Sequence, residues 1–305
     1  MRVSHAIPCL LLSDGGQMYT LSQVHIDMAR NSTDDFSLFH DQFRWSWVNN
    51  NPFKGPIALC FQLGCFVETH IPQNSPHLTV DMLRFSSFEF KFARSVKVGD
   101  KIEAEIKKGR LTHNENGKQY STRVCLKAND KPAIIGFKRD GEFPTLTPEF
   151  PELTLSELKE AKDRSFIADG EYFLKRKWMI VGNAKNFLLS AFADQTSYID
   201  EFANKVTFPQ MYPLSLLSSA LLERAQAASH DLIKNPLVYT SQHLSMDKVQ
   251  LKELRSNDAM HILIKQPQIL ESGIQRFICF AYVNQQTPLF IAQVDLLPAM
   301  QMIIR

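Results

Sequence analysis

Pro56-Ile57-Ala58-Leu59-Cys60-Phe61-Gln62-Leu63-Gly64-Cys65-Phe66-Val67-Glu68, wound as a helix, is apolar on nearly every side. A surface helix keeps one polar face, so a helix of this kind needs wrapping by a sheet. Proline in a first helical turn loses no hydrogen bond and presets φ, and the spacing therefore predicts a helix from Pro56 to Glu68. Pro213 to Ala228 is a second stretch of the same kind, carrying Leu214, Leu216, Leu217, Leu221 and Leu222. Two such helices in 305 residues fit two cores of roughly 150 residues each.

Working outward from these helices, the same features recur in the same order on both sides of a Pro/Thr-rich segment, Phe143 to Pro151. Upstream, Asp35-Phe36-Ser37-Leu38-Phe39-His40-Asp41-Gln42-Phe43 lines up with Asp194-Gln195-Thr196-Ser197-Tyr198-Ile199-Asp200-Glu201-Phe202. Each is preceded by a short amphipathic stretch, Gln23 to Arg30 and Ala184 to Phe192. Downstream, Phe85 to Val98, Gly99-Asp100 and Lys101 to Ile106 match Tyr239 to Leu254, Asn257-Asp258 and Ala259 to Ile264, and both read as strand, turn, strand. Arg123 to Phe137, broken at Asn129-Asp130-Lys131-Pro132, matches Phe277 to Val294, broken at Asn284 to Pro288, and both read as hairpins. An apolar helix followed by long antiparallel strands is a sheet curled around a helix, and two copies can share one continuous sheet. The expected class is α+β, a tandem of two such units over residues 1–143 and 166–305 joined by a linker, 144–165. In the linker Thr154 and Glu157 are spaced to cap a short charged helix.

Lysine plus arginine number 34 against 32 acidic residues, a balance that gives no reason to expect nucleic acid or an anionic membrane as partner. The five cysteines, Cys9, Cys60, Cys65, Cys125 and Cys279, sit in apolar runs without CxxC or Cys/His ligand spacing, and read as buried thiols of a reducing compartment rather than metal ligands. Ile7 to Leu12 is too short for a leader and Asp14-Gly15-Gly16 follows at once; no window approaches a membrane span. The expected setting is cytoplasmic. No nucleophile elbow or glycine-rich phosphate loop occurs.

Ser32-Thr33-Asp34-Asp35-Phe36-Ser37-Leu38-Phe39-His40-Asp41, with Gly55-Pro56-Ile57-Ala58-Leu59-Cys60, resembles the signature of MaoC-like hotdog proteins, a family that includes the R-specific enoyl-thioester hydratases. That signature reads Gly-Asp-x-Asn-Pro-x-His-x-Asp, then Pro-Ile-Ala-His-Gly. Asp35 and His40 keep its five-residue spacing, and Asp41 or Gln42 sits near its second Asp. Ser37 and Leu38 replace Asn-Pro, and Leu59 and Cys60 replace His-Gly. In the second half Asp194 persists while Ile199 stands where His would be, whereas two-copy relatives typically keep the working motif in their second copy.

The resemblance implies a double hotdog fold and a hydratase or dehydratase interconverting 2-enoyl and 3-hydroxyacyl thioesters, without metal or cofactor. Asp35 and His40 would be its acid/base pair, and Ser37, Pro56, Ile57, Ala58, Leu59 and Cys60 would contact substrate. An imidazole titrating near neutrality suits one proton transfer and a carboxyl the other. Amides at the start of the Pro56 helix would meet charge developing on the thioester oxygen. The implied partner is an acyl-CoA or acyl carrier protein, with the chain acting as monomer or homodimer.

Each residue also has a plainer reading. Asp34, Asp35, Ser37 and Asp41 form a turn that can simply cap a helix and reverse the chain. A non-catalytic acyl-thioester or lipid binder, or a hotdog thioesterase, fits the same fold. His25, His70, His77, His113, His230, His243 and His261 show no metal-like pairing. Trp45 and Trp47 can line an acyl tunnel or pack against the other copy. Arg84, Lys91, Arg94, Lys97, Lys107, Lys108 and Arg110 can meet phosphates or form a solvated face.

Overall fold

The computed structural model describes residues 17–71, 83–114 and 117–302; Cys9, His77 and the 7–12 and 14–16 segments lie outside the described residues. The first half contributes β1 (Tyr19–Thr20), β2 (Phe85–Phe92), β3 (Lys101–Ile106), β4 (Arg110–Asn114), β5 (Gly117–Ala128) and β6 (Lys131–Gly141). After these come β7 (Ser165–Ile167), β8 (Tyr172–Trp178), β9 (Ile199–Asp200), β10 (Lys205–Val206), β11 (Leu237–Asp247), β12 (Ala259–Lys265), β13 (Gln268–Ile269), β14 (Gln275–Tyr282) and β15 (Phe290–Pro298). Apart from the β9–β10 pair, these strands form one antiparallel sheet in the order β1-β3-β5-β6-β2-β11-β15-β14-β12-β8-β7, with β4 and β13 on its flanks.

The order is the same read outward from the central seam in either direction. β2, β6, β5 and β3 answer to β11, β15, β14 and β12, and the two sets meet where β2 pairs with β11 from Phe85↔Asp247 to Lys91↔Ser241. Duplication in the sequence is thus duplication in space. Two helices, Cys60–His70 and Met211–Ala227, lie against each other on the inner face, and a second pair, Gln23–Thr33 and Val181–Ser190, packs in the same manner. Gly64 allows the first of these contacts to close: a Cβ there would stand 3.1 Å from Sδ of Met211. One apolar cluster runs through both halves, including Phe61, Phe66 and Phe90 with Phe187, Tyr212 and Met246. On the other face of the second half, Leu158, Leu174, Leu263 and Phe280 form a smaller cluster with Leu153 and Leu155.

The Asn129-Asp130 turn between β5 and β6 has both residues at positive φ (48° and 62°), the geometry that matches a hairpin's twist. Thr154 caps the Leu155–Glu160 helix, its Oγ1 accepting the Glu157 amide at 3.2 Å. Other boundaries move. The first central helix begins at Cys60, not Pro56, because the Ile57 and Ala58 amides are already bonded to the Phe39 and Val96 carbonyls (3.0 and 2.8 Å), which holds that lead-in extended. The second begins at Met211, with Pro213 inside its first turn, where proline sacrifices no bond. The strand expected over 239–254 ends at Asp247, whose carboxylate accepts the amides of Val249 and Gln250 and starts a short helix, Lys248–Glu253. Cys65 and Cys279 are buried, but Cys60 and Cys125 are only partly so. Among the described residues no helix is long and apolar enough to cross a membrane.

Candidate active site

The Gln23–Thr33 helix ends at Asp34, in the left-handed conformation (φ 53°), and the Asp35 amide bonds back to the Arg30 carbonyl at 3.0 Å. The chain then reverses through the Ser37 amide, which donates to Oδ1 of Asp35 at 2.8 Å, and makes a single 3-10 turn, Leu38–His40. Asp41 anchors this loop. It is buried, accepts the amides of Phe43 and Arg44 at 2.9 Å, and pairs with Arg44 (2.7 Å) and Arg30 (3.1 Å). Burial alone would raise its pKa, but the Arg44 side chain, the two amides and the Arg30 charge bring the carboxyl down to about 2. Asp41 therefore holds structure and is no proton donor near neutrality.

His40 lies on the wall of a cavity between the loop, the Cys60 helix and the Met211 helix. Its Nδ1 is 2.7 Å from the Ile57 carbonyl oxygen, an acceptor only, so Nδ1 carries the proton and Nε2 the lone pair. Burial lowers the imidazole's pKa, and the Arg30 charge does the same; the Asp35 charge and the Ile57 carbonyl act against them without reversing the shift. His40 is accordingly neutral at pH 7, the form a general base requires.

Ser37, Ile57, Ala58, Leu59 and Cys60 line the same cavity, and Pro56 does not. Asp35, 4% exposed, stands one layer behind the wall. Its two oxygens are held by Ser37 and by Ser218, whose hydroxyl donates to Oδ2 at 2.6 Å, and both serines line the cavity. Ser218 comes from the Met211 helix, so the second half completes a site whose motif is in the first. Tyr239, on β11, lines the same cavity as Ser218. Sequence reading missed Ser218 and Tyr239, although Ser215, Ser218 and Ser219 are a polar interruption in an otherwise apolar helix.

The first amides of a helix lack intrahelical acceptors, and Cys60 and Phe61, the first residues of theirs, both line the cavity. Burial pushes the Cys60 thiol far above its ordinary value, with the Asp35 charge adding to the shift, so the sulfur is not a thiolate nucleophile. The corresponding helix head in the second half is occupied by the protein itself. Glu68, at the far end of the Cys60 helix, places its carboxylate on the amides of Gln210 (2.8 Å) and Met211 (2.9 Å). There Ile199 is buried in the core and Asp194 is exposed, spent on Thr196.

Of the basic residues, Arg84 is paired with Asp247 and Lys107 with Glu105, whereas Arg94 is exposed at the cavity rim beside Ser95 and has no carboxylate partner among the described residues. Trp47 lines an adjoining chamber.

No family model matches the sequence. No curated protein matches it either. Solved structures do resemble the fold. A MaoC-like dehydratase superposes with TM-score 0.59 at 9% identity, over 92% of this chain and 95% of that one. A double-hotdog protein from Mycobacterium tuberculosis gives 0.57 at 13% identity, over 93% and 96%. A MaoC-like dehydratase from Phytophthora capsici gives 0.52 at 13%, over 92% and 95%. This chain has the double hotdog fold seen in MaoC-like dehydratases.

Proposed function

We propose that the protein is an acyl-thioester hydratase or dehydratase that interconverts 2-enoyl and 3-hydroxyacyl thioesters, with Asp35 and His40 as its acid/base pair. The observation that carries this reading is a neutral imidazole on an apolar cavity wall that the head of the Cys60 helix also lines, with a buried carboxyl acting on the ring by its charge. Hydration adds the oxygen of water to Cβ, moves one of its protons to a base and delivers a proton to Cα. His40 Nε2 suits the first transfer. Asp35, closed to bulk water, suits the second when it holds a proton, passed to Cα through the Ser218 hydroxyl that bonds to it and lines the cavity; the carboxylate left behind stabilises the imidazolium, whose proton then returns to Asp35. Dehydration uses the pair in exchanged roles. Electron density moving onto the thioester oxygen would be met by the amides of Cys60 and Phe61. The substrate would be carried by coenzyme A or a carrier protein.

A non-catalytic acyl binder is the second reading, favoured by Asp35 lying behind Ser37 and Ser218 instead of on the wall itself. Incubation with crotonyl-CoA separates the two: enoyl absorbance falls if the site is catalytic, and His40→Ala lowers that rate by at least about a hundredfold. Binding without loss of absorbance selects the second reading. Release of free thiol would mark a thioesterase instead.

A further inference from the structure

Two apolar chambers meet behind His40. The first holds the catalytic loop and the head of the Cys60 helix, and the second lies between the Trp45–Trp47 turn and the Pro236 segment. Ser37, Phe39, Leu222, Leu232 and Leu237 line both, so one row of side chains is all that divides them. Leu222 and Leu232 in that row are only half-buried. Beyond them the second chamber reaches the surface past Trp47, 57% exposed, and Ile233, 43% exposed.

The two ends differ in charge. At the rim of the first chamber Arg94 has no carboxylate partner among the described residues, which suits the phosphates of a thioester carrier. At the second chamber the only cation on the wall among the described residues, Arg44, is already neutralised by Asp41 at 2.7 Å. A thioester lying with its carrier toward Arg94 and its carbonyl at Cys60 has its tail directed at Leu222 and Leu232.

We propose that the second chamber takes the distal part of a long acyl chain, so that the natural substrates are long-chain thioesters whose tails pass the Leu222–Leu232 constriction and end near Trp47 and Ile233. This rests on the acyl-thioester reading above. Exposed Trp47 and Ile233 then have a use: each buried methylene favours binding by about 0.8 kcal/mol, close to a fourfold gain.

The test is a chain-length series, crotonyl-CoA, decenoyl-CoA and hexadecenoyl-CoA, on the full chain and on Leu232→Trp. Support is a wild-type kcat/KM that rises to hexadecenoyl-CoA, with the hexadecenoyl-to-crotonyl ratio falling at least about tenfold in the variant. A wild-type optimum at crotonyl-CoA overturns the proposal. So does an equal loss at all lengths in Leu232→Trp, which would put the constriction on the carrier's side of the site. If no length is turned over, the catalytic reading fails, and calorimetric titration with butyryl-CoA and hexadecanoyl-CoA still decides the chamber. Tighter binding of the long chain, lost in Leu232→Trp, supports it, and equal affinities overturn it. Leu222→Trp, in the same row, repeats the test should the first variant not fold.

Discussion

The Ser218 hydroxyl donates to Oδ2 of Asp35 at 2.6 Å, joining the second central helix to the Asp35–His40 loop of the first half. The bond fixes one carboxylate oxygen while the Ser37 amide fixes the other, so the carboxyl plane cannot turn without breaking a buried bond. A residue 183 positions away in sequence thus sets the orientation of this carboxyl. Replacing Ser218 by alanine removes that donor and leaves the carboxylate one partner short. We expect kcat for crotonyl-CoA hydration to fall about tenfold, equivalent to about 1.4 kcal/mol of lost positioning. Steady-state kinetics beside a thermal melt check this: a variant that melts normally and keeps full kcat would show that the bond has no role in the chemistry.

The pH profile follows from His40. The proposed mechanism needs the base form, and burial lowers the imidazole's pKa below its ordinary value of 6.5. The acid limb of the rate should therefore lie below about 6.5, since above it the ring is already neutral. The Asp35 charge raises this pKa, so Asp35→Asn should move the acid limb to still lower pH while reducing the rate at the plateau. A limb that stays in place in the Asn variant means that the two groups do not share a site. Stopped-flow rates across pH 5 to 8 give both answers.

How far the residues announced all this depends on the range of the contacts involved. The central helix was legible because Phe61, Leu63, Cys65 and Phe66 leave it no polar face, and the hairpins because Asn129-Asp130 supplies two residues that tolerate positive φ. His40 was legible through its spacing from Asp35. The helix start at Cys60 was not, since what keeps Ile57 and Ala58 extended is the carbonyls of Phe39 and Val96, far away in the chain. Ser218 escaped notice because a serine in an apolar helix reads as a small packing residue; only the fold shows a carboxylate beside it.

Gly136 on β6 faces Phe90 on β2, and a Cβ at this position would overlap the Glu89 carbonyl oxygen and press on the Phe90 ring. The obstacle is backbone in a paired strand and cannot swing aside. β2 is also the strand through which the two halves join. Gly136→Ala should therefore destabilise by about 2 to 4 kcal/mol, among the larger effects of adding one methyl group. Denaturant unfolding measures it, and a loss under about 0.5 kcal/mol, typical of a harmless surface change, would contradict the packing described for this strand.

Glu68 makes the sharpest stability prediction. Burial pushes its carboxyl up to about 7 even though the Met211 and Gln210 amides and the Lys138 charge pull the other way. In the unfolded chain the same group titrates at its ordinary 4.5. Between those values the native state holds a proton that the unfolded state has released, so stability declines as pH rises from about 4.5 to 7 and levels off above it. The slope approaches about 1.4 kcal/mol per pH unit inside that window. Other carboxylates with lowered pKa, Asp41 among them, lose their contribution toward acid pH and mask the effect in the wild type alone. The quantity to measure is therefore the stability of the wild type minus that of Glu68→Gln, by urea unfolding at pH 5, 6, 7 and 8. We expect that difference to fall from pH 5 to 7 and then stay constant. A difference that rises over the same range would mean that Glu68 is ionised well below neutrality, held by the Gln210 and Met211 amides strongly enough to outweigh its burial.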